Sequence, residues 1–137
     1  MWEILVVDDD GIYRTMMVRV LARAGFSVSG VRSGREALDH LKHGTPSVVV
    51  TDILMPDMDG LELIREIRRT GRGIGIVAIS GGGDPIFDFL PAASIFGADV
   101  TMRKPFELST LVTAVQSLLG LRHPGPLSSS SSMTAGQ

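Results

Sequence analysis

Ile4-Leu5-Val6-Val7-Asp8-Asp9-Asp10 is the stretch on which the fold of this chain turns: an unbroken apolar run ending in consecutive carboxylates. Strands with one wet face alternate apolar and polar residues. A continuous β-branched run suits a strand covered on both faces, as in a parallel sheet. Val48-Val49-Val50 repeats the signal, and Asp52 follows it. Working outward from these two, apolar runs occupy about 2–7, 26–31, 47–51, 75–79 and 98–102, and each predicts a strand.

Between the runs lie helix signals. Tyr13, Met16, Met17, Val20, Leu21 and Ala24 recur at helical spacing, with Gly25 as the stop. Leu108, Leu111, Val112, Val115, Leu118 and Leu119 do the same, closed by Gly120. Asp59-Gly60-Leu61-Glu62 reads as a capping box, opening a helix that runs out near Gly71. A shorter helix is expected over about 35–42. A fourth is expected to start near Asp88, with Pro91 in its first turn, rather than at Asp84-Pro85, where Pro91 would break it. The order βαβαβαβαβα predicts an α/β fold, a parallel sheet with helices on both faces. The folded unit is read as residues 1–122. The segment 123–137, with its five consecutive serines, is read as a disordered tail or linker.

Composition narrows the function. The chain of 137 residues has 13 Lys+Arg against 15 Asp+Glu, so no basic excess is available to hold a nucleic-acid backbone. No apolar run approaches the roughly 18 residues of a membrane helix. Glu3 and Asp8 to Asp10 leave no room for a signal peptide's apolar stretch of roughly 7–15 residues. Absence of cysteine removes disulfides and thiol catalysis. A cytoplasmic protein is expected.

In sheets of this kind ligands bind beyond the carboxyl ends of the strands. The residues following the apolar runs are Asp8, Asp9 and Asp10, then Asp52, then Ser80, then Lys104. Parallel topology puts them all on one edge. Two unit charges about 4 Å apart interact by about 4 kcal/mol at an effective dielectric of 20. Clustered carboxylates therefore take up protons unless a cation joins them. One lysine does not neutralise three of them, whereas Mg²⁺ suits oxygen ligands and phosphate groups. No His stands among these positions, which disfavours Zn²⁺. Such a site suits a phosphoryl group, with water or a carboxylate as the attacking oxygen. Asp52, alone at the end of the central run, is the candidate nucleophile, and Asp10 is read as a helix cap.

Four strings carry a family resemblance: Ile4 to Asp10, then Thr51-Asp52-Ile53-Leu54-Met55-Pro56-Asp57-Met58-Asp59-Gly60-Leu61-Glu62-Leu63, then Ala78-Ile79-Ser80, then Lys104-Pro105-Phe106. Over about residues 2–120 the sequence resembles the receiver domain of two-component response regulators, chemotaxis regulators among them. The resemblance implies a doubly wound, flavodoxin-like fold of five strands in the order 2-1-3-4-5 with five helices. It implies that Asp52 accepts a phosphoryl group from a sensor histidine kinase or a phosphotransfer protein. It further implies Mg²⁺ bound by Asp9, by Asp52 and by the backbone carbonyl of Leu54, with Asp8 acting through water. Lys104 would contact the phosphoryl oxygens, Ser80 would hydrogen-bond the group and draw its loop inward, and the Lys104–Pro105 bond would be cis. The domain would not be an enzyme beyond promoting its own phosphorylation and dephosphorylation. It would act as a monomer or weak homodimer, with the first helix docking the kinase and the fourth and fifth helices mediating any dimer.

Two departures from the family stand out. The position three residues before the lysine, often aromatic, is Thr101, and Ser80 is followed by Gly81-Gly82-Gly83 instead of the usual alanine. Phe87, Phe89 and Phe96 either form a partner surface or, as the preferred reading, anchor the fourth helix. Three alternatives remain open at this point. A Mg²⁺-dependent phosphohydrolase with an aspartyl intermediate would use the same residues, but wants a second acid/base carboxylate where Leu54 stands. A flavodoxin-like flavin binder is disfavoured by the acidic edge. A pseudo-receiver scaffold is disfavoured because the key side chains are all present.

Overall fold

The computed structural model describes residues 2–81 and 88–120. Among them, strands and helices alternate strictly: β1 (Glu3–Val7), α1 (Gly11–Arg23), β2 (Ser27–Val31), α2 (Gly34–His43), β3 (Val48–Asp52), α3 (Gly60–Arg69), β4 (Gly75–Ser80), α4 (Leu90–Phe96), β5 (Val100–Arg103) and α5 (Leu108–Leu118). The strands form one parallel sheet in the order β2-β1-β3-β4-β5. The chain reverses its winding direction between β1 and β3. In sheets of this kind ligands bind outside the carboxyl ends of the strands at such a reversal.

Alternation along the strands sorts the core into two layers. Leu5, Val7, Val49, Ile76 and Ala78 pack under α2, α3 and α4, meeting Ala37, Leu41, Leu63, Ile64, Ile67 and Ala93. Ile4, Val6, Val48, Val50, Val77 and Ile79 pack on the other side, against Met17 and Leu21 of α1 and Leu111 and Val115 of α5. Both apolar runs are therefore buried on both faces, as continuous hydrophobicity requires.

Local signals place the helices. Asp10 caps α1, its carboxylate accepting the N–H groups of Ile12 and Tyr13 at 3.0 and 3.3 Å. Asp59 caps α3 by accepting the Glu62 N–H at 2.8 Å. Gly25 ends the α1 turn at φ 101, a left-handed conformation open to glycine at little cost. Helix α4 starts at Leu90 with Pro91 in its first turn, and Asp88 accepts the Leu90 N–H at 3.2 Å. Phe89 packs against the α2–α4 core layer, while Phe96 is half exposed, with the Arg65 guanidinium 5.5 Å over its ring. Phe87, the Asp84-Pro85 pair, Gly82-Gly83 and the Ser-rich segment fall outside the described residues.

Candidate functional site

The site is assembled from strand ends. Two residues beyond Val6 and Val50 the alternation brings Asp8 and Asp52 to the α1–α5 side of neighbouring strands. Both are buried, Asp8 fully and Asp52 to 6% exposure. Lys104 arrives from the end of β5, where its N–H donates to the Ser80 carbonyl at 2.8 Å. Its Nζ lies 3.0 Å from Asp8 Oδ2 and 3.6 Å from Asp52 Oδ2. The Lys104–Pro105 bond is cis. Ser80 closes β4 and is buried on the same edge.

Each carboxylate is also held by backbone. Asp8 Oδ1 accepts the Asp10 N–H, and Asp52 Oδ1 accepts the Ile53 N–H, both at 2.9 Å. Arg14 donates to the Asp8 carbonyl at 2.8 Å, fixing the turn that carries Asp9 and Asp10. Helix α3 meets the end of β3 at Gly60, whose N–H donates to Ile53 O at 2.7 Å. A β-carbon there would fall 2.2 Å from the Asp52 carbonyl oxygen, so only glycine permits the approach.

The electrostatics are unbalanced. The Asp52 pKa is raised to about 6, chiefly by burial and then by the Asp8 charge. Lys104 and the Ile53 N–H pull the other way, and Asp9 pushes up again. For Lys104, burial lowers the pKa, but the hydrogen bond to Asp8 and the charges of Asp52, Asp8 and Asp10 outweigh it, leaving a net rise. The ammonium therefore stays charged. Asp8, Asp9 and Asp52 each offer an oxygen, and these lie within 4.8 Å of one another. One ammonium offsets one of the three charges, so this donor set fits a hard divalent cation with oxygen preference. Asp9 is exposed and open to such an ion, whereas both oxygens of Asp8 already have protein partners.

Asp8, Asp9, Asp52 and Lys104 thus converge as the sequence predicts, and Ser80 lines the same edge. Leu54 lies two residues beyond Asp52 with a half-exposed side chain, so no second carboxylate stands at that position. Tyr13 was readable only as one apolar position in an amphipathic helix. Its ring lies under the Lys104 ammonium, 4.1 Å from Nζ to the centroid, and packs against Phe106 at 5.9 Å. No sequence signal links Tyr13 to Lys104, because helical periodicity reports an inward face and not the charge that meets it.

The geometry has close relatives. The sequence profile of the response regulator receiver domain matches residues 4–116. Response regulator MprA of Mycolicibacterium vanbaalenii is 39% identical over 116 residues, which is 85% of this chain and 49% of that protein. The chain spans about half the length of the curated relatives it matches. Among solved structures, the BeF3-activated DrrB receiver domain superposes with a TM-score of 0.78 at 28% identity, covering 88% of this chain and 98% of that one. The chemotaxis protein CheY4 of Vibrio cholerae gives 0.77 at 28% identity, over 86% and 98%. Among the described residues no helix is long and apolar enough to cross a membrane. Matched across most of its length in sequence and in strand order, the chain belongs to the response regulator receiver domain family of two-component systems.

Proposed function

We propose that this domain is a phosphorylatable switch, with Asp52 as phosphoacceptor and a sensor histidine kinase or phosphotransfer protein as donor. The observation that carries the reading is the buried Asp52 carboxylate, 3.6 Å from the Lys104 ammonium and clustered with Asp8 and Asp9. A carboxylate oxygen of Asp52 attacks phosphorus and forms an acyl phosphate. The P–N bond to the donor imidazole breaks, and the departing nitrogen keeps the electron pair and takes a proton.

Mg²⁺ would be held directly by Asp9, Asp52 and the Leu54 carbonyl, and through water by Asp8. When bound, it supplies charge that offsets the phosphoryl oxygens. Lys104 contributes a second, fixed positive charge, and Ser80 a hydroxyl for the group. The product adds about −1.5 to −2 charge and three acceptor oxygens. Engaging them requires Lys104 and Ser80, on the ends of different strands, to close on one point. The loop and helix after Ser80 are then biased, and partner binding changes with them. The chain turns over no separate substrate in this reading, and cytoplasmic placement follows from a kinase donor. Leucine stands half exposed at position 54, where a phosphohydrolase wants its acid/base carboxylate, and this favours the switch.

Incubation with a small acyl phosphodonor and Mg²⁺ tests this. The parent protein is expected to take one phosphoryl group and Asp52→Asn none. Equal labelling of the two proteins would overturn the assignment.

A further inference from the structure

Lys104 is confined on more than its carboxylate sides. Its ammonium touches Asp8 at 3.0 Å, faces Asp52 at 3.6 Å and sits 4.1 Å from the centre of the Tyr13 ring. The side chain retains only 11% exposure. Tyr13 is itself fixed, since it lies in the first turn of α1 beside the Asp10 cap and its ring packs against Phe106 at 5.9 Å. Phe106 follows Lys104 by two residues, so the ring spans from the ammonium back to the chain that carries it. A cation over an aromatic face is attracted by the ring quadrupole, most strongly where water is excluded. The hydrogen bond to Asp8 and the charge of Asp52 hold the ammonium from the carboxylate side and leave its opposite flank open. The ring adds a directional wall.

We propose that Tyr13 is a positioning residue for Lys104, its ring face holding the ammonium between Asp8 and Asp52 where an incoming phosphoryl group must meet it. The proposal rests on the phosphoacceptor reading for its consequence, but not for the placement itself. Thr101 leaves β5 without a ring at the position noted above, whereas Tyr13 brings one to the lysine from α1. Both contacts are made by the ring, so phenylalanine should serve equally well.

The test compares the parent protein with Tyr13→Phe and Tyr13→Leu. The first readout is the proton shift of the Lys104 ε-methylene, which lies in the shielding cone of the ring. This needs no phosphorylation. An upfield shift is expected in the parent and in Tyr13→Phe, and its loss in Tyr13→Leu. The second is the rate of labelling by a small acyl phosphodonor at saturating Mg²⁺. A fall of roughly three- to tenfold is expected for Tyr13→Leu, with Tyr13→Phe at the parental rate and Mg²⁺ affinity unchanged in both. An unshifted Lys104 methylene in the parent, or a Tyr13→Leu protein that labels as fast as the parent, would overturn the proposal. Should Tyr13→Leu fail to fold, the parent and Tyr13→Phe shifts still decide the placement. A shifted methylene in a parent that takes no label supports the placement and sinks the phosphoacceptor reading. Labelling without the shift sinks the role of Tyr13 alone.

Discussion

In the proposed phosphoacceptor role Asp52 has to be both buried and ionised, and these demands conflict. Its pKa of about 6, against 3.8 ordinarily, expresses the conflict. The folded protein binds the proton more tightly than the unfolded chain does. The penalty is therefore absent below about pH 4, grows as the pH rises towards 6 and is fully present above it. At about 1.4 kcal/mol per pH unit the shift caps the penalty at about 3 kcal/mol. Without divalent cations, Asp52→Asn is expected to be more stable than the parent at pH 7.5 by about 1–3 kcal/mol, a net figure in which the Lys104 attraction is already included. The difference should shrink towards pH 4. Urea melts at the two pH values check this, and an advantage that grew on acidification would contradict it. The site carboxylates were legible in the sequence because each ends an apolar run, and a parallel sheet leaves such residues one edge to share. Arg14, which braces the Asp8 carbonyl, and Tyr13 were not, because their partners lie in other segments.

Among the elements, α3 is held at both ends. Its first residue, Gly60, presses on the backbone of β3, and backbone atoms have no rotamer through which to yield. Gly60→Ala is expected to cost about 3 kcal/mol and to disturb Asp52 directly, read as a lower thermal midpoint together with slower labelling. At its other end Arg68 donates to the carbonyls of Gly97 and Ile74 and pairs with Asp99 at 2.9 Å, tying α3 to the ends of α4 and β4. Arg68→Met keeps the stem and removes these bonds. A loss of about 1–3 kcal/mol is expected in a denaturant melt, with Mg²⁺ affinity unchanged. The elements themselves could be read from periodicity, Asp caps and glycine stops, with ends displaced by a residue or two. The Arg68 network could not, because arginine on a helix surface carries no mark of the carbonyls that will meet it. Helix α4 was the hardest to place, since it is short and only Pro91 anchors its register.

At the scale of the molecule, the fold and the site are one construction. The reversal that makes β1 and β3 neighbours also aligns Asp8 with Asp52. Mutual repulsion among the clustered carboxylates then works against the fold until a cation arrives. Mg²⁺ is expected to raise the stability of the whole domain, by about 2.7 kcal/mol at a hundredfold excess over its dissociation constant. Asp9→Asn should abolish most of that gain while leaving the apo fold intact, as a thermal melt series with and without Mg²⁺ will show. The most direct test of the account is to phosphorylate the protein with a small acyl phosphodonor and Mg²⁺, reduce it with borohydride and map the peptides by mass. An acyl phosphate is reduced at its carbonyl, which marks the aspartate that carried it as homoserine. The account predicts that mark at position 52 and nowhere else, and none when Mg²⁺ is chelated. A mark at Asp8 or Asp9, or an unmarked position 52 in a protein that has taken up phosphate, would contradict it.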